Sequence, residues 1–234
     1  MTTRLRVAMM LVGGLALGGA PPAAAQQTLN LTRGAFSPRG EDARVAHDVL
    51  VENLTFLSFD LADFTGPTVG AEWLVPLGGF LEAGAGIGFS RRTVPTVYTR
   101  FTDNGGREIE QDLRLRVIPV ALTMRVLPRG SSATVQPYFG AGLGVLRWRY
   151  SESGDFINFG VPGRPVFRGS FVADGSTTGP VALGGIRVAS DAFSAGGEIR
   201  YQDASAALDD RFAGSRIDLG GWSYLFTMGI RFGR

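Results

Sequence analysis

The residues able to do chemistry are few. The chain has one histidine and no cysteine, which removes cysteine–histidine nucleophilic catalysis and leaves little to hold zinc. His47 stands between Asp42 and Asp48. As a general base it would need a nucleophile within hydrogen-bond reach, and no serine is singled out by its spacing. Asp209-Asp210 and Asp103-Asn104-Gly105-Gly106 offer oxygen ligands, but not at the spacing of a calcium loop, and read as turns. Gly84 to Gly88 lacks the lysine and helix of a phosphate loop. No catalytic, metal or cofactor site is expected. The formal charge of +2 gives no case for nucleic acid.

The charged residues that remain make sense once the elements holding them are traced. Arg4 and Arg6 precede the apolar run Val7 to Ala20, and Ala23-Ala24-Ala25 ends it. That is a secretory signal peptide over residues 1–25, cleaved near Ala25. Residues 26–234 then form one domain. Its 34 glycines recur inside apolar segments rather than in linkers.

Alternation with period two dominates the rest. Phe139, Ala141, Leu143 and Val145 share one face of their segment, and Gln136, Tyr138, Gly140, Gly142 and Gly144 share the other. Seven strands follow directly, over residues 67–77, 80–93, 111–127, 134–150, 179–189, 194–202 and 217–232. Single-chain bacterial barrels have an even number of strands, and Leu29 to Pro38 supplies the eighth, with Val51 to Phe64 as the competing segment. Residues 39–66 become a long first loop. Short links alternate with long polar ones, roughly 94–110, 151–178 and 202–216. This describes an all-β, closed antiparallel up-and-down transmembrane barrel with short periplasmic turns and long extracellular loops.

The non-apolar face decides which side meets lipid. It carries Gly, Ser and Thr with Glu72, Glu82, Arg125, Arg187, Glu198, Arg200 and Arg231. Small residues and opposite charges suit the narrow interior of eight strands, where the charges are expected to neutralise one another. Across the hairpin 111–150, pairing Val120 with Leu143 and Met124 with Phe139 puts Arg116 opposite Arg147, Arg114 opposite Arg149 and Leu115 opposite Trp148. Ile118 to Val126 spans about 23 Å vertically at a strand tilt near 40°, close to an apolar band of about 25 Å. Arg91, Arg114, Arg116, Arg147 and Arg149 would then ring the outer wall just above the lipid, where guanidinium suits phosphate-bearing headgroups.

The mouth of the barrel is apolar inside: Leu113, Leu115, Leu146, Trp148 and Tyr150. The segment Val51 to Phe64 is expected to cover it as a lid or plug, since Leu54, Phe56, Leu57 and Phe59 would otherwise face water. An apolar ligand is the alternative.

These residues resemble the small eight-stranded outer-membrane barrels of the OmpA/OmpX type, within the wider outer-membrane β-barrel domain family. The resemblance rests on the signal peptide, the loop–turn alternation, the Gly-rich strand Gln136 to Gly144 and the closing run Tyr224 to Phe232. It implies location in the bacterial outer membrane, a monomer, and contact with outer-membrane lipid or lipopolysaccharide. It also implies recognition of the C-terminal strand by the outer-membrane insertion machinery, although Gly233-Arg234 follow the aromatic residue that usually ends that signal. No peptidoglycan-binding domain is seen, so an OmpA-like wall anchor is not implied. The expected role is structural or surface contact in the cell envelope by a barrel with a filled interior. A narrow pore or apolar-ligand binder, and a lipid-modifying enzyme, are the alternatives.

Overall fold

The computed structural model describes residues 26–233; the expected signal peptide, residues 1–25, and Arg234 lie outside the described residues. Eight strands carry the fold: β1 (Gln27–Pro38), β2 (Gly66–Pro76), β3 (Leu81–Thr102), β4 (Glu108–Val126), β5 (Val135–Ile157), β6 (Val166–Ala189), β7 (Phe193–Gln202) and β8 (Gly221–Phe232). Each pairs antiparallel with its sequence neighbours, and β1 pairs with β8 from Gln27↔Phe232 to Pro38↔Gly221. The sheet thus closes on itself, so the backbone donors and acceptors of the spanning region find partners within the ring. Lipid offers none.

The faces follow the period-two reading. Going up β4, the outward residues are Met124, Leu122, Val120, then Ile118; β5 presents Phe139, Ala141, Leu143 and Val145 outward. Leu143 is 70% exposed and Leu122 66%, which in water would be a large apolar patch. Further exposed apolar side chains continue the band around the ring, among them Leu31, Ile87, Ile186, Ile199 and Met228. Phe89 and Trp222 lie at its upper edge, and Phe80, Phe193 and Phe232 at its lower edge, all exposed. An outward apolar band with aromatic borders is the surface of a membrane-spanning barrel.

Two details differ from the sequence reading. The β4–β5 register pairs Val120 with Val145, Leu122 with Leu143, Arg116 with Arg149 and Leu115 with Tyr150, two residues from the expected pairing. A shift of two leaves every side chain on its face, so alternation could not detect it. The shift arises from stagger: Val135 to Tyr138 pair only with β6, because neighbouring strands of a tilted barrel do not start at one level. Second, most of the expected loops 94–110 and 151–178 are strand. β3 and β4 continue up to a tip at residues 103–107, and β5 and β6 to a tip at 158–165. Both faces are polar or mixed there, so the alternation that marks a strand fades while the ladder continues.

The periplasmic turns are short. Leu77 N–H donates to Leu81 O at 2.8 Å, and Ser190 N–H to Phe193 O at 2.8 Å. Gly78 (φ 114°) and Gly130 (φ 80°) take backbone conformations that glycine adopts without strain. At the β1–β8 seam a Cβ on Gly34 would overlap the carbonyl oxygen of Tyr224. Gly34→Val is therefore expected to weaken closure by about 1–3 kcal/mol. Unfolding in denaturant should show the loss, with the closed, protease-resistant form reduced.

Candidate functional site

Below the upper edge of the apolar band, the barrel axis is filled by charge. Arg125, fully buried, comes from β4. Its Nη2 pairs with Glu72 of β2 and, at 2.9 Å, with Glu198 of β7. Arg200 reaches Glu198 at 2.7 Å and Glu72 at 3.2 Å. One level down, Arg187 of β6 holds Glu82 of β3 at 2.7 and 3.0 Å and donates through Nε to Gln136 at 2.8 Å. Glu82 also lies 3.9 Å from Arg125, joining the two levels. Tyr138 donates to Glu198 at 3.1 Å, and its ring lies 4.8 Å below the Arg125 guanidinium, a cation–π contact. Three guanidiniums thus face three carboxylates, which leaves the cluster neutral. The space beside Glu72 and Arg200 is only ≈40 Å³, room for about one water. Arg231 lies at the lower edge of this cluster, within electrostatic reach of Arg187 and Glu82, and donates to the carbonyl of Ser190 at 2.6 Å. The strands fold this way because glycines at 84, 86, 140 and 142 leave the axis free for long side chains from opposite walls. A Cβ at Gly84 would lie 2.6 Å from Thr123 Oγ1 and 2.8 Å from Glu72 Oε1.

Above the charges the interior inverts to apolar. Leu113, Leu115, Val117, Leu146, Trp148 and Tyr150 are buried there against Val49, Leu50, Leu57, Leu61 and Phe64 from residues 39–65, and against Phe212, Ile217 and Leu219 from residues 203–220. The first of these loops contains a short helix, α1 (Val49–Leu54), and a two-residue strand, Leu57–Ser58, hydrogen-bonded to β3. Leu54, Phe56 and Phe59 pack partly buried against the same cluster. Each fully buried aliphatic side chain contributes about 1.5–3 kcal/mol.

Two polar sets fix this cap. Asp48 and Asp218, both with fully buried side chains, join the first and last extracellular loops. Arg44 Nε binds Asp48 at 2.6 Å, and Asp218 N–H donates to Asp48 Oδ1 at 2.7 Å. Arg39 binds Asp218 at 2.7 and 2.8 Å. Gly214 packs so tightly on Val49 that a Cβ would lie 2.5 Å from its backbone. The second set anchors α1: buried Asn53 donates to Tyr150 Oη at 3.1 Å and Glu152 Oε1 at 2.8 Å, and Tyr150 donates to the same oxygen at 2.8 Å. Burial raises the pKa of Glu152 above its ordinary value, against the lowering effect of those two hydrogen bonds. These residues had no distinguishing spacing in the sequence, apart from the i,i+4 pair Arg44 and Asp48.

His47 is exposed, with Nδ1 3.5 Å from Glu52, and adopts φ 59°. Its carbonyl accepts from Arg216 N–H at 3.2 Å. Asp103 accepts from the N–H groups of Gly105 and Arg107, both at 2.8 Å, and Asp209 from Arg211 N–H at 3.1 Å. Both close turns.

On the outer wall the five arginines occupy three consecutive strands. The outward series of β3 runs up through Ile87 and Phe89 to Arg91, that of β4 through Ile118 to Arg116 and Arg114, and that of β5 through Val145 to Arg147 and Arg149. They form a one-sided patch rather than the expected ring, because β3, β4 and β5 are neighbours in the meander.

Two outcomes are expected. Arg125→Met alone should destabilise the barrel by about 3–5 kcal/mol in denaturant unfolding, because it strands buried carboxylates, and adding Glu72→Met should recover most of that loss. For the cap, a raised carboxyl pKa makes docking strongest below the ordinary carboxylate value and weaker as pH rises through the Glu152 pKa. Protease protection of residues 39–65 should therefore fall with rising pH, and Glu152→Gln should flatten the dependence.

No protein-family model matches the chain, and no curated protein sequence matches it. Solved structures do. Ail, the attachment invasion locus protein of Yersinia pestis, solved with the heparin analogue sucrose octasulfate, is 10% identical with a TM-score of 0.45, over 89% of this chain and 99% of that one. The N-terminal β-barrel domain of Pseudomonas aeruginosa OprF is 12% identical with a TM-score of 0.42, over 89% and 99%. Neisserial surface protein A is 12% identical with a TM-score of 0.44, over 88% and 97%. By its own closed ring of eight antiparallel strands and its outward apolar band, this chain is an integral β-barrel of the bacterial outer membrane.

Proposed function

We propose that the protein serves the cell envelope as a closed barrel that passes no solute and presents a fixed extracellular head for surface contact. The observation that carries this reading is the double obstruction of the axis: the Glu72–Arg125–Glu198–Arg200 cluster inside the membrane and the apolar cap above it. A conducting barrel needs a continuous polar path, and the apolar layer interrupts any such path over several residues of height.

Support for surface contact comes from the two tall hairpins. β3–β4 and β5–β6 rise beyond the cap, and their tips meet where Phe101 and Phe159 pack edge to face at 5.5 Å. The Arg164 guanidinium lies 5.6 and 5.8 Å from those two rings. Phe159 and Val161 remain exposed, so the outermost point of the molecule is apolar and held in shape.

Reconstitution of the full chain in planar bilayers tests the closed reading. No reproducible open step is expected at moderate voltage, and none should appear when Arg125 and Glu72 are replaced together by Met, because the cap remains. A regular conductance step from the unaltered chain would contradict the reading.

A further inference from the structure

From the register of the outer wall, we infer that β3, β4 and β5 carry a binding site for one phosphorylated lipid headgroup of the outer leaflet. It rests on the barrel lying in the outer membrane and not on whether the axis is closed. Arg91 pairs across the sheet with Arg116, and Arg116 pairs with Arg149. Three guanidiniums therefore stand in one unbroken row across adjacent strands about 4.8 Å apart, all on the outward face. Arg147 lies opposite Ile118, next to this row, and Arg114 lies just above it, donating to Thr93 Oγ1 at 3.1 Å.

Like charges directly opposite one another across a sheet repel. Among the described residues, Arg91, Arg116, Arg147 and Arg149 have no ion pair or side-chain hydrogen bond to offset that repulsion. The outward carboxylates nearby are Asp112, above Arg114, and Asp174, across from Arg149. Asp112 bounds the patch from above, and Asp174 ends the row on the β6 side at the level of Arg149, so the positive charge is confined to β3, β4 and β5 in the band directly over the lipid. That is the depth at which the phosphates of an outer-leaflet lipid lie when its acyl chains cover Ile87, Phe89, Val120 and Val145. Guanidinium forks match phosphate bidentately, so the arrangement becomes favourable once a multiply charged headgroup is seated. The apolar contact below and the cationic row above fix a lipid, rather than a free anion, as the occupant.

The test uses the folded full chain in non-ionic detergent, titrated with diphosphorylated lipid A, its dephosphorylated form and inorganic phosphate. The expected result is preferential binding of the diphosphorylated lipid, with affinity at least about tenfold weaker in the triple variant R91Q/R116Q/R149Q. Dephosphorylated lipid should bind both proteins alike. The same triple variant should be at least as stable as the parent in phosphate-free detergent, since repulsion is removed. That readout separates a binding role from a merely structural one, and it also reports folding. Arg129→Gln and Arg168→Gln, outside the patch, should change nothing. Equal lipid binding by the triple variant, equal losses in the two controls, or displacement of lipid by inorganic phosphate at comparable concentration would each overturn the inference.

Discussion

A strand exposed to hydrocarbon must find all its backbone hydrogen bonds in other strands, and everything else in this molecule is arranged around that requirement. Closure of β1 on β8 supplies the last ladder. Once the ring is closed, its small radius dictates the contents. The wall facing lipid has to be apolar, and the inside admits only small residues interleaved with a few long ones. The result is inverted relative to a soluble domain: Leu122 and Leu143 are exposed, and Arg125 and Glu72 are buried.

Burying six charges is tolerable only because each faces an opposite charge at hydrogen-bonding distance. The cluster draws its members from β2, β3, β4, β6 and β7, so it fixes walls that are not neighbours in the sheet. Above the membrane the rule reverses, because water surrounds the barrel and the interior can be an ordinary apolar core. The change from Gly142 and Gly144 to Leu146 and Trp148 along one face of β5 marks that boundary. Asp48, Asp218 and Asn53 then make the polar ties that a core closed by loops requires, and they convert two long connections into a fixed cap.

How far the sequence could be read follows from the same physics. Period-two alternation assigns faces, and every outward residue inferred for β4 and β5 is outward. It cannot assign register, since a slip of two residues conserves all faces; only the stagger of the tilted strands separates the two pairings. Strand ends were legible where lipid imposes alternation and lost above it, where the outer face turns polar and the buried inner face mixes Val94 and Tyr98 with Thr96 and Gln111, so β3 to β6 run farther than their patterns suggest. The interior charges were legible as types on a face. Their pairing was not, because Arg125 and Glu198 are joined only by the curvature of the wall. The Asp48–Asp218 tie spans most of the chain with no local signature. The arginine patch is the opposite case: three consecutive strands of a meander must be neighbours, so its one-sidedness was present in the strand order.

Orientation is the claim on which the rest stands, and the absence of cysteine from the chain makes it directly measurable. Single cysteines at Leu122, Leu143, Thr123 and Leu146, each carrying a spin label, would be compared in lipid vesicles for contact with a lipid-soluble and a water-soluble relaxant. Labels at Leu122 and Leu143 should respond to the lipid-soluble agent, and labels at Thr123 and Leu146 should be shielded from it. Leu122 and Leu143 responding chiefly to the water-soluble agent would mean that the apolar stripes do not face lipid, and the account would fail.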